Sequence, residues 1–270
     1  MPAGTVTIAQ ISDLHIRRRD GATFAGRLRA AALSRCIARL NTLSPDFVIV
    51  TGDLTQHGYL EEYLHLRELL AELLIPFFLI PGNHDDRDAL RNVFSDHQYL
   101  FQTSPHISYT IDAGALRVVA LDSTEPGKTG GYLDSARLTW LRSCLQALNC
   151  PTILAFHHPP FETGVWPVDT YPFENVEALA EIVVGNPHVQ RIISGHVHCA
   201  LAAQWGGTLA CTSPTPSSQV LLKGAPQKRR FLAFERAGFL LHVYDDTESL
   251  TTRVARFNGR VESLPVPGSG

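Results

Sequence analysis

Carboxylate, imidazole and amide side chains fall in five short blocks of this chain: Asp13 with His15, Asp53, Asn83 with His84, His157, and His196 with His198. Each block follows directly on an apolar, β-rich run. Cys199 adjoins His198 but reads as a small buried apolar residue, so no thiolate joins the set. Two carboxylates, one amide and several imidazoles suit divalent Mn, Fe, Co or Zn. A closed structural zinc site needs only four ligands. The candidates Asp13, His15, Asp53, Asn83, His157, His196 and His198 are enough for two ions that share one carboxylate. Asp53 lies between the two groups in sequence and is the natural bridge. Two ions roughly 3.5–4 Å apart lower the pKa of a bridging water and clamp attacking and leaving oxygens, which is the chemistry of phosphate-ester hydrolysis. Two dications, less two aspartates and a hydroxide, leave about one positive charge. That matches the single negative charge of a phosphodiester; a monoester dianion would call for a further Arg or Lys.

Positioning these groups takes strands that all end at one edge. The pattern predicts strands over 5–11, 47–51, 77–80, 152–156 and 189–194, alternating with amphipathic helices over 28–43, 61–74, 134–148 and 175–184. Asp134 is the expected N-cap of the third helix. A hairpin is expected over 108–121. Beyond residue 200 the helical periodicity stops, and the chain reads as hairpins over 201–212 and 231–244 with a last strand over 251–257. A βαβ half followed by a β-only half predicts an α/β protein with two mixed β-sheets packed as a sandwich and flanked by helices. In α/β sheets ligands collect beyond the carboxyl ends of the strands, where all five blocks fall. Residues 1–212 would form the catalytic core. Residues 213–270 would supply a long loop and hairpins that complete the second sheet and offer an oligomer contact, within a single domain overall.

Composition narrows the class. The 270 residues carry a formal net charge of −3, which argues against a broad basic surface for nucleic acid. Five cysteines, at 36, 144, 150, 199 and 211, form an odd number with no CxxC, as expected of a reduced, cytoplasmic setting. The most apolar stretch, 69–81, contains Glu72 and two prolines, so no membrane span is expected.

Asp13-x-His15, Gly52-Asp53, Gly82-Asn83-His84-Asp85, His157-His158-Pro-Pro and Gly195-His196-x-His198 together resemble the calcineurin-like metallophosphoesterase superfamily. Gly82-Asn-His-Asp-Asp86, Gly131-Tyr-Leu-Asp134 and Trp140-Leu141 look most like its bacterial class III cyclic nucleotide phosphodiesterases and glycerophosphodiesterases. The resemblance implies one ion held by Asp13, His15, Asp53 and His198, and another by Asp53, Asn83, His157 and His196. His84 would contact the phosphate and protonate the leaving oxygen, and a hydroxide held by the ions would attack phosphorus. His57, on the loop after the second strand, is a candidate substrate contact. His158 is expected to pack behind His157 rather than ligate. The Asp-Arg-Gly of the protein phosphatases is absent, since Asp53 is followed by Leu-Thr-Gln. The implied function is a binuclear-metal hydrolase of small phosphodiesters, assembled as a homo-oligomer. The alternatives are a phosphomonoesterase or small nuclease on the same fold, and then a non-catalytic scaffold.

Overall fold

A computed structural model describes residues 5–19, 23–147, 150–224, 230–245, 247 and 249–264. The basic pair Lys228-Arg229 and the tail from Pro265 lie outside the described residues.

Three parallel strands, β1 (Val6–Ile11), β2 (Phe47–Thr51) and β3 (Phe77–Ile80), alternate with helices α1 (Phe24–Leu43) and α2 (Leu60–Leu70). A short helix, α3 (Arg87–Val93), follows β3, capped by the Asp86 carboxylate on the Ala89 N–H. Next come the antiparallel pair β4 (Tyr109–Ala113) and β5 (Leu116–Ala120), helix α4 (Ser135–Gln146), β6 (Thr152–Ala155), the two-residue β7 (Val165–Trp166), helix α5 (Val176–Val184) and β8 (Val189–Ser194). Asp134 caps α4, accepting from the Arg137 N–H as the sequence predicts. The chain closes with β9 (Leu201–Trp205), β10 (Thr208–Thr212), β11 (Gln219–Lys223), β12 (Phe231–Glu235), β13 (Gly238–Tyr244), β14 (Leu250–Arg256) and β15 (Val261–Ser263).

Two six-stranded mixed sheets result, ordered β15-β14-β13-β1-β2-β3 and β4-β5-β6-β8-β10-β9, with a small third sheet, β12-β11-β7. Strand alternation builds the layers. Val118, Ala120, Ile153, Ala155, Ile193 and Cys211 join a large core cluster with residues of the first sheet. Their neighbours Val119, Leu154, Ile192 and Ala210 turn the other way, onto Leu141 and Leu145 of α4 and Leu179, Ile182 and Val183 of α5. Helices α1 and α2 bury Leu33, Ile37, Leu40, Leu66 and Leu70 in the large cluster.

Two expectations about the C-terminal part are corrected. Residues 231–244 are not a hairpin: β12 pairs with β11, whereas β13 pairs with β1 and β14. Among the described residues of 213–270, none joins the second sheet; β13, β14 and β15 extend the first sheet beyond β1, and β9 and β10 finish the second. Alternation tells which residues face inward but not which edge a strand joins. The long loop expected after residue 212 contains β11, and α3 also went unforeseen.

Candidate metal centre

Strand register brings the blocks together. Ile11 pairs with Val50, Thr51 with Ile80, and Ala155 with Ile193, so the parallel strands of each sheet end level. Gln10 joins the two sheets at this edge, its amide donating to the Thr51 hydroxyl and the Ser194 carbonyl, both at 2.9 Å. The loops beyond are tightly interlocked. A Cβ at Gly82 would land on the backbone nitrogen and carboxylate of Asp53, and one at Gly195 on the Ser12 hydroxyl and Thr51 carbonyl. These two positions of the Gly-Asn-His-Asp and Gly-His-x-His blocks therefore require glycine because chain passes against chain.

Five candidate ligands sit in the left-handed backbone region: Asp13 (φ +56°), His15 (+46°), Asp53 (+50°), His196 (+70°) and His198 (+59°). Each such residue costs about 1–3 kcal/mol and persists only where the surroundings over-determine it. Here the surroundings do so. The Asp13 and His15 amides donate to the Gly52 and Asp53 carbonyls at 3.0 and 2.9 Å, and the His196 amide donates to the Asp13 carboxylate at 3.0 Å.

The side chains converge in two groups. Ligand atoms of Asp13, His15, Asp53 and His198 all lie within 4.8 Å of one another. His198 Nε2 is 3.1 Å from His15 Nε2 and 3.3 Å from Asp13 Oδ1, and His15 Nε2 is 3.4 Å from Asp53 Oδ2. In the second group His157 Nε2 lies 3.2 Å from Asn83 Oδ1 and 3.4 Å from Asp53 Oδ1. The His196 ring stands edge-on to that of His157, centroids 5.0 Å apart. Asp53 thus turns one oxygen to each group.

The donor chemistry fits a cation. His157 Nδ1 lies 2.8 Å from the Thr51 carbonyl, which only accepts, so Nδ1 carries the proton and Nε2 presents a lone pair. That lone pair faces Oδ1 of the Asp53 carboxylate, which can only accept, so a proton or a metal between them relieves the arrangement. Electrostatics agrees. Burial opposes charge on His157, but the Asp53 carboxylate outweighs it and lifts the imidazole to about 9. Burial likewise works to raise Asp13 and Asp53, yet the facing imidazoles hold both below the usual carboxylate range. Burial pulls His15 and His196 down to about 3, so both stand as neutral lone-pair donors.

Other histidines are placed as follows. His158 is also within reach of His157 and His196, but its Nδ1 lies 2.9 Å from the Ser123 hydroxyl and its Nε2 3.1 Å from the Thr129 carbonyl, which leaves no free nitrogen. His84 is anchored through Nδ1 to the Gln56 carbonyl at 2.8 Å, and its Nε2 sits 3.9 Å from Asp53 Oδ2. Its side chain is 36% exposed, so a substrate can reach it. His57 pairs with buried Glu62 at 2.9 Å and stacks on Tyr59, yet it lines the same cavity as Asn83 and His84. That cavity, about 490 Å³, also takes in Arg87, Asp86 and Glu125. A second one of about 210 Å³ opens beside His196 and is walled by Phe161, Tyr171 and Phe173.

Asp85 was assigned no role from sequence. Its carboxylate accepts from the amides of Leu54, Thr55 and Gly82 and from the hydroxyls of Thr55 and Tyr63, tying together the loops that carry Asp53 and Asn83. Its place next to His84 was the only available signal.

Two level-ended sheets with a histidine–aspartate centre at their shared edge define a metallohydrolase architecture. Residues 6–200 match the model of the calcineurin-like phosphoesterase family. The chain belongs to that family. It is 32% identical over 259 residues to "Probable glycerophosphodiester phosphodiesterase GpdQ" of Arcobacter nitrofigilis, covering 93% of this chain and 94% of that protein. It is 31% identical over 218 residues to the 3',5'-cyclic adenosine monophosphate phosphodiesterase CpdA of Pseudomonas aeruginosa, covering 80% and 78%. Among solved structures, a dimetal phosphatase from Danio rerio superposes with a TM-score of 0.67 at 14% identity, over 93% of this chain and 99% of that one, a likeness of fold.

Proposed function

We propose that the protein is a two-metal phosphodiesterase acting on small diesters, cyclic nucleotides or glycerophosphodiesters. The observation that carries this reading is the Asp53 carboxylate, with Oδ2 facing His15 and Oδ1 facing His157. Asp13, His15, Asp53 and His198 would hold one ion, and Asp53, Asn83, His157 and His196 the other. Manganese, iron, cobalt and zinc all suit this donor set. When bound, such ions activate water and stabilise the charge that builds on the phosphoryl oxygens.

The remaining work falls to the chain itself. Asp85 keeps the Asp53 and Asn83 loops in register, so the donors are preorganised. His84, held through Nδ1, directs Nε2 toward the cavity shared with Asn83. From there it contacts a phosphoryl oxygen and passes a proton to the departing alkoxide. The 490 Å³ cavity receives one arm of the diester, with His57 on its wall. Both named relatives support diester substrates. No Arg follows Asp53, which sets this site apart from the protein phosphatases.

A cytoplasmic location is part of the proposal. It rests on five free cysteines; among the described residues, no helix is long and apolar enough to cross a membrane. So is a homo-oligomer, for which segment 213–270 supplies a surface. Val220, Leu232 and Phe234, on the third sheet, are 58%, 74% and 68% exposed.

The test is turnover by chelated protein reconstituted with each metal in turn. Bis(p-nitrophenyl) phosphate, p-nitrophenyl phosphate, cyclic AMP and glycerophosphocholine form the panel. Metal-dependent turnover favouring diesters is expected. A preference for the monoester would move the reading to a phosphomonoesterase, and two bound ions without turnover would move it to a scaffold.

A further inference from the structure

An imidazole that offers Nε2 to an ion carries its proton on Nδ1, and an acceptor there fixes tautomer and ring orientation; His15 Nδ1 is buried without one. His157 uses the Thr51 carbonyl, a backbone group. His198 differs. Its Nδ1 lies 3.1 Å from Oε1 of Gln219, a side chain from β11 in the small third sheet. The amide nitrogen of Gln219 donates back to the His198 carbonyl at 3.3 Å.

This reciprocal pair fixes the orientation of the amide. The His198 carbonyl only accepts, so it must face the NH₂ end, which leaves Oε1 against Nδ1. Oε1 also only accepts, so Nδ1 holds the proton. The Nε2 lone pair is then free where it faces Asp13 Oδ1 and His15 Nε2.

We propose that Gln219 is a positioning residue for the metal centre: it sets the tautomer and ring orientation of His198 from outside the two main sheets. The inference rests on the two-metal reading above. It also gives β11 a task, since this strand carries Gln219 on one face and exposed Val220 on the other. Outer partners of metal-bound histidines typically contribute 10–100-fold to metal affinity.

The test is Zn²⁺ affinity of the full chain, measured by competition with a chromophoric chelator. Gln219→Leu, which keeps the bulk and removes both hydrogen bonds, is expected to weaken the tighter or weaker of two Zn²⁺ steps by 10–100-fold. Gln219→Glu retains an acceptor at Nδ1 and is expected to recover wild-type affinity or exceed it. Val220→Ser, on the opposite face of the same strand, is expected to leave Zn²⁺ affinity unchanged. Unchanged affinity in Gln219→Leu overturns the inference, as does equal loss in Val220→Ser or in Gln219→Glu. A nitrogen-15 NMR measurement on Zn²⁺-loaded wild type removes any dependence on variant folding: His198 Nδ1 must appear protonated, and a bare Nδ1 overturns the inference. Wild type that binds fewer than two ions would instead bring down the two-metal reading itself.

Discussion

A carboxylate whose two oxygens face different sets of imidazoles, as those of Asp53 do, holds both sets only while both oxygens are present. Asp53→Ala is therefore expected to drop metal content below two ions per chain and to remove nearly all turnover; elemental analysis beside an activity assay checks this, and full retained activity would refute the bridge. His84 predicts a different pattern. Its ring is anchored outside the ligand groups, so His84→Ala should keep both ions while turnover slows by roughly 10²–10⁴-fold, as for loss of a general acid. An unchanged rate removes it from the mechanism. The ligand types were legible in sequence because each stands directly after a strand. Asp85 and the hold of Gln219 on His198 were not, since a carboxylate or amide that works only through hydrogen bonds has no spacing of its own to betray that role.

Strand ends bring the ligands into reach, and buried polar contacts lock the two sheets at that edge. Gln10 of β1 reaches Ser194 of β8, and its Oε1 lies 3.1 Å from His242 Nε2 on β13. His242 Nδ1 in turn lies 2.9 Å from the Thr252 hydroxyl on β14. Gln10 Oε1 takes a proton from Nε2, so Nδ1 accepts from Thr252 and the neutral ring is fully satisfied. Burial, reinforced by the facing Arg191, pulls His242 down to about 3 from an ordinary 6.5. The unfolded chain then binds the extra proton between these values. Stability is complete above pH 6.5 and falls as the pH drops toward 3, by about 1.4 kcal/mol per unit from this residue. Denaturant titrations at pH 7.5 and 5.5 check it: His242→Asn should remove about 1.4 kcal/mol in total from the stability difference between these two pH values, and an unaltered difference would count against it. The elements themselves were largely legible, with α1 beginning at Phe24 rather than residue 28 and α2 ending at Leu70 rather than 74. The edge that β13 joins was not, because its pattern fits either sheet equally well.

Across the whole molecule, the centre stitches the N-terminal and C-terminal halves, with Asp13 from one and His198 from the other 3.3 Å apart. Ions that bind only this folded arrangement add stability by mass action, about 2.7 kcal/mol at a hundredfold excess over Kd. Chelation should accordingly lower Tm by several degrees, and restoring Mn²⁺ or Zn²⁺ should reverse the shift; a Tm indifferent to chelator would mean that the ligands do not bind as a folded unit. The sandwich was legible from the switch between βαβ and β-only patterning, whereas the third sheet, whose middle strand β11 lies in a Pro- and Ser-rich stretch, was not. The central claim is that two ions share Asp53. Anomalous diffraction from crystals of Mn²⁺-loaded protein tests it most directly. Two peaks roughly 3.5–4 Å apart, one on each side of the Asp53 carboxylate, are predicted; a single peak, or two peaks with Asp53 touching only one, would contradict it.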